Sequence, residues 1–145
     1  MHSWLESESS KGSYEIASAV YDTLNKIEIS EVINEVKLIA DGCSGQNKNS
    51  TILAMAAKWL SQAPRNIKKV QLIFPVTGHS FLRADRLFAL IEKGVKKLDT
   101  IILPDEYYDI FKKHGTLKKL NYDWHIQDWK KRNYSSYKIN GFPPF

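Results

Sequence analysis

The chain has 145 residues, 43% hydrophobic and 26% charged, with 7 Gly and 5 Pro. That composition fits one globular domain and excludes a disordered, collagenous or low-complexity chain. A single cysteine, Cys43, excludes an internal disulfide and any zinc site built on paired cysteines, and the net charge of +5 directs attention to where the basic residues lie.

The predicted elements alternate. Ser13 is placed to cap a helix whose one face holds Ile16, Ala17, Val20, Tyr21, Leu24 and Ile27. Val36, Leu38, Ile39 and Ala40 form a short apolar run stopped by Asp41-Gly42, the pattern of a buried strand. The loop GCSGQNKN follows, and Asn49 or Ser50 caps a helix with Ile52, Leu53, Ala56, Trp59 and Leu60 inward and Pro64 just past its end. Val70, Leu72, Ile73 and Phe74 make a second strand, ended by Pro75 and Gly78. A third helix starts near Leu82 and buries Leu87, Phe88, Ile91, Val95 and Leu98. A strand at Thr100–Leu103, a helix opened by Pro104 and an extended pair between Leu117 and Trp129 complete the series. The alternation predicts an α/β fold with helices on the faces of a sheet, in which function sits at the carboxyl ends of the strands.

Charge is uneven along this order. Residues 1–35 hold seven acidic and two basic side chains, and residues 112–138 hold eight basic and two acidic. The basic end interleaves Tyr122, Trp124, Trp129, Tyr134 and Tyr137, as a polyanion-binding surface would. The plainer reading makes those aromatics core and the lysines a solvated face. No apolar run approaches the ~18 residues of a membrane span, and the start MHSWLESESSKGS has neither the basic nor the apolar region of a secretory signal. No membrane partner is expected, and the location expected is intracellular, nuclear or cytoplasmic.

Two polar clusters fall at predicted strand ends. In the first, Asp41 is followed by Ser44, Gln46, Asn47, Lys48 and Asn49, with Gly42 and Gly45 free to adopt positive φ and turn amides toward an anion. An ordinary Asp-Gly turn is the competing reading. A phosphate loop of the G-x-x-x-x-G-K-[ST] type is the weaker alternative, because Asn47 replaces its second glycine and Asn49 its magnesium-binding hydroxyl. The second cluster places His79 at a strand exit and Asp85 in the first turn of the next helix, where an acid is favoured by the helix dipole alone. Together, two carboxylates on adjoining strand ends could hold Mg2+ or Mn2+, and two such ions about 4 Å apart clamp the oxygens of a phosphodiester. The imidazole would move a proton.

VTGHSFLRADRL resembles the ribonuclease H signature in which a strand ends in Gly-His and the following helix carries Ala-Asp. The connection from His79 to Asp85 is shorter than that family's. LIADGCSGQ resembles the strand that ends in the family's second core aspartate, at Asp41, and Glu15 sits where its catalytic glutamate stands. DGCSGQNKN, FPVTGHSFLRADR and LPDEYYDIFKKHG together resemble a family of transposon-associated animal proteins with a ribonuclease H-like transposase core, although Gly42 stands where members usually have Asn.

The resemblance implies a single, partial ribonuclease H-like domain over residues 1–145, a sheet flanked by helices that lacks the first three strands. It implies a nuclease-like domain acting on nucleic acid. Asp41, Asp85 and Glu15 would be metal ligands and His79 the proton shuttle. Lys48, Lys118, Lys119, Lys130, Lys131 and Arg132 would meet the nucleic acid. Because the strand with the central aspartate is missing, the alternative is a non-catalytic remnant that binds nucleic acid or protein. Self-association through exposed sheet edges is also expected.

Overall fold

The computed structural model describes residues 1–43, 45–75, 83–96 and 104–130. Its elements run β1 (His2–Ser3), α1 (Ser13–Lys26), β2 (Glu35–Ile39), α2 (Ser50–Gln62), β3 (Lys69–Ile73), α3 (Arg83–Val95), α4 (Pro104–Lys112) and β4 (Lys118–Lys119). The fold is mixed α/β. Two compact units share the chain: Met1–Ser9 with Val76–His125, and Ser10–Pro75 with Ile126–Phe145. The predicted strand at Thr100–Leu103 lies outside the described residues.

The unit containing Ser10–Pro75 is built on a parallel pair. β2 and β3 are in register with Val36 opposite Val70 and Leu38 opposite Leu72. Parallel strands need a crossover, and α2 supplies it. At one end of the pair Lys69 and Glu35 are register partners and their side chains meet at 2.8 Å. The Lys69 hydrogen bond holds the Glu35 carboxyl below its ordinary range, against an opposing desolvation, with the charges of Lys69 and Lys37 adding to the lowering.

Both helices owe their limits to local chemistry. α2 begins where Asn49 Oδ1 accepts the Ile52 amide at 3.2 Å, as the sequence pattern anticipates. α1 does not begin with a Ser13 cap. Gly12 is the N-cap, no side chain bonds there, and Ser13 is the first helical residue; its hydroxyl instead donates to Thr51 Oγ1 at 3.3 Å. Tyr21 OH donates to Gln62 Oε1 further along, so the two helices run in the same direction. Ala17, Tyr21 and Leu24 from α1 meet Ile52, Met55 and Trp59 from α2, with Ile67 and Trp129 closing the core and Val36, Leu38, Val70 and Leu72 packed against it. Ile27, the last residue of the predicted apolar face, is 56% exposed because the helix has already ended at Lys26.

In the other unit β1 and β4 pair in parallel, His2 opposite Lys118 and Ser3 opposite Lys119. The sequence gives no strand this early, and two residues are too few to show alternation. Beyond β4 the chain turns through Asn121, whose positive φ of 66° is one that Asn tolerates, to a bridge between Leu120 and Trp124. The His2 and Trp4 rings meet Trp124 edge-to-face at centroid distances of 5.2 and 5.6 Å.

α3 packs on α4 closely enough that a Cβ on Gly94 would lie 3.1 Å from Ile110 Cγ2. Its inward face is therefore centred on Leu87, Ile91 and Gly94. Phe88, expected in the core, lies about 100° further round the helix and is 58% exposed.

Tyr108 on α4 is buried, and burial raises its phenol above the ordinary value, helped by the nearby charges of Glu8 and Asp105 and opposed by a hydrogen bond with Ser3. The fold thus prefers the neutral phenol. Its contribution to stability is complete below the unfolded value near pH ~10 and is lost as pH climbs through the higher folded value. Absorbance titration of phenolate should show one late-ionising tyrosine that disappears in Tyr108→Phe. A Tyr108→Phe titration curve differing only by a step at the ordinary value would refute this.

Candidate nucleic-acid interface

The Ala40 amide still donates to Ile73 O at 3.1 Å, so Asp41 is the first residue beyond the ladder, at the carboxyl end of β2. The loop then folds on itself. The Cys43 carbonyl accepts the amides of Gln46, Asn47 and Lys48 at 3.2, 2.8 and 2.9 Å. Asp41 Oδ1 accepts from the Asn47 side-chain amide and from the Cys43 amide at 3.4 Å. Gln46 Nε2 donates to Lys11 O at 3.2 Å, which ties the loop to the segment leading into α1.

This arrangement corrects two expectations. Gly42 is not in the positive-φ region, and three amides that could have cradled a phosphate are spent on Cys43 O. Cys43 is free and exposed. What the loop offers outward is the exposed carboxylate Asp41 and the exposed ammonium of Lys48, whose Nζ lies 6.0 Å from the Phe74 ring centroid.

The other acidic candidates are placed differently. Glu15, in the first turn of α1, is only 6% exposed, and its Oε1 accepts from Ser10 Oγ at 2.8 Å. Its Oε2 stands 3.0 Å from where a Cβ on Gly12 would be. Position N3 of a helix, facing its own N-cap, is where a carboxylate serves the helix itself. Asp85 is exposed in the first turn of α3, in the unit formed with Met1–Ser9. His79, Lys131 and Arg132 lie outside the described residues.

Among the described residues no three His, Cys, Asp or Glu side chains are grouped to hold a metal ion. Asp41 engages neighbours through Oδ1 and Glu15 is buried against Ser10.

The basic candidates divide as well. Lys119 is half-buried, its Nζ 4.1 Å from the Tyr108 ring centroid and 3.6 Å from Asp105 Oδ1. Lys118 is half-buried in β4, where its amide donates to Met1 O at 2.8 Å, and Lys130 is exposed with its amide on Asp128 Oδ1 at 2.9 Å. Lys112, Gly115, Thr116, Leu117, Lys119 and Asp123 line an open groove of about 660 Å³. Sequence reasoning named Lys119 but missed Lys112 and the groove, because the turn after α4 that shapes it has no motif. Of the interleaved aromatics, Trp124 and Trp129 are core residues and Tyr122 is 83% exposed.

A family model described as "Domain of unknown function (DUF7869)" matches residues 5–142. The chain belongs to the DUF7869 family. No curated protein and no solved structure is detectably similar to it. For this DUF7869 member, among the described residues no helix is long and apolar enough to cross a membrane.

Proposed function

We propose that this DUF7869 domain is a nucleic-acid-binding module of transposase ancestry, its α/β core derived from a ribonuclease H-like fold. The observation that carries the reading is the convergence of Lys112 and Lys119 on one open groove within the basic end of the chain. An exposed lysine and a half-buried one along a groove, Lys112 and Lys119, can follow a phosphate backbone without reading sequence. Asp105 and Asp109 lie 3.6 and 3.3 Å from these ammonium groups. Such exposed pairs are worth little, so phosphates can displace them.

The salt dependence of affinity for single- and double-stranded nucleic acid tests this. Affinity should fall steeply with salt, and Lys112→Ala and Lys119→Ala should each weaken binding across all sequences and reduce the log–log slope by about 1. A salt-independent affinity, or slopes unchanged in both variants, would remove the proposal. A nuclease assay with Mg2+ or Mn2+ separates binding from catalysis. Binding without cleavage is the expected result, and cleavage abolished by Asp41→Asn would restore a metal–carboxylate enzyme.

A further inference from the structure

Residues 119–124, just after β4, form a turn bonded across itself. The Lys119 carbonyl accepts the amides of Tyr122 and Asp123 at 3.4 and 2.9 Å, and Asp123 Oδ2 accepts the Lys119 amide in return at 2.7 Å. The Asn121 amide donates to Trp124 O at 2.8 Å, and the positive φ of 66° at Asn121 reverses the chain. Leu120 and Trp124, which bracket the turn, are 1% and 2% exposed. A turn so bonded, and pinned at both ends in the core, leaves its middle little freedom. That middle carries Tyr122, an aromatic residue 83% exposed. A lone exposed tyrosine is ordinary. This one follows Lys119 and precedes Asp123, the two bonded ends of the turn, and both of these line the groove with Lys112, Gly115, Thr116 and Leu117.

We propose that Tyr122 is a base-stacking residue, so that the groove takes single-stranded nucleic acid. The inference rests on the nucleic-acid reading and adds the form of the ligand. Residues 112–123 hold four lysines and one acid, Asp123, whose Oδ2 is already engaged by the Lys119 amide. That charge complements a phosphate backbone, but phosphates are common to one strand and two. The ring makes the distinction. In a duplex each base face is covered by its neighbours, and only an unstacked base can lie on a tyrosine. Every base has such a face, so stacking adds affinity without reading sequence. Of the described aromatics in the basic stretch, Trp124 and Trp129 are 2% and 4% exposed and are spent on the core, which leaves Tyr122 for this role.

Anisotropy titrations with an oligothymidine strand, an abasic strand of the same length and a duplex test it. Tyr122→Ala should bind oligothymidine about fivefold or more weakly than wild type does, and duplex equally well. Wild type should prefer oligothymidine to the abasic strand by a similar factor. Tyr122→Ala should lose that preference and Tyr122→Trp should keep it. The salt slope of Tyr122→Ala should match wild type, because no charge is removed, whereas Lys112→Ala and Lys119→Ala lower it. With the side chain so exposed, circular dichroism should show the fold of Tyr122→Ala unchanged. Salt-dependent binding in which Tyr122→Ala equals wild type on oligothymidine, or weakens duplex just as much, overturns the stacking role and leaves the phosphate contacts standing. Salt-independent binding removes both.

Discussion

Trp59→Ala should cost about 3–5 kcal/mol, the range for emptying a buried tryptophan site. The indole is 2% exposed and lies in the cluster formed by Ala17, Tyr21, Leu24, Ile52, Met55, Ile67 and Trp129. It therefore sits in the core shared by α1, α2 and Trp129. A domain of this size is stable by only ~5–15 kcal/mol, so the loss takes a large part of the total. At about 2–4 °C per kcal/mol for a chain near 150 residues, the midpoint of thermal unfolding should drop by about 6–20 °C. Trp59→Phe, which keeps a ring in the site, should lose less than half as much. Circular dichroism melts of the three proteins decide it, and a fall of less than about 3 °C for Trp59→Ala would show that the indole is not the centre of this core.

Much of that core is legible in the sequence. Ile52, Ala56 and Trp59 on one helix and Ala17, Tyr21 and Leu24 on the other repeat at the spacing of one helical face. The apolar runs at Val36 and Val70 give the parallel pair, and Asn49 the start of α2. Three kinds of information are absent from such patterns. The pairing of His2 with Lys118 joins residues more than a hundred positions apart in strands of two residues each, where no periodicity exists. The face of α3 depends on where Gly94 lets α4 approach, so the pattern includes Phe88 while packing leaves it outside.

Partners of polar groups are the third. Asp41 is legible as a carboxylate at a strand end, but the engagement of its Oδ1 by Asn47 and Cys43 of its own loop is not. Glu15 reads as a ligating acid through the resemblance, and its burial against Ser10 is a tertiary fact. The candidate site was thus legible as segments, and its donors' actual partners were not.

Ser18→Ala should cost about 2–4 kcal/mol, far more than a serine in mid-helix ordinarily would. In isolation Ala is the better helix former, so propensity alone predicts a small gain. The sign is reversed because Ser18 Oγ is the acceptor for two donors, the Gln127 amide and the Trp129 indole N–H. Removing it strands both in a region where Ser18 and Trp129 are 1% and 4% exposed, and each unsatisfied buried donor costs about 1–3 kcal/mol. A double-mutant cycle isolates the effect. Trp129→Phe deletes one of the two donors, so Ser18→Ala should cost less in that background, with a coupling of about 0.5–3 kcal/mol. Urea unfolding measures the energies. Hydrogen exchange locates them, since the Gln127 amide and Trp129 indole proton should be protected in wild type and lose protection together in Ser18→Ala. Additive costs in the cycle, or unchanged protection, would mean that Gln127 and Trp129 are held by ring packing and Lys58 alone.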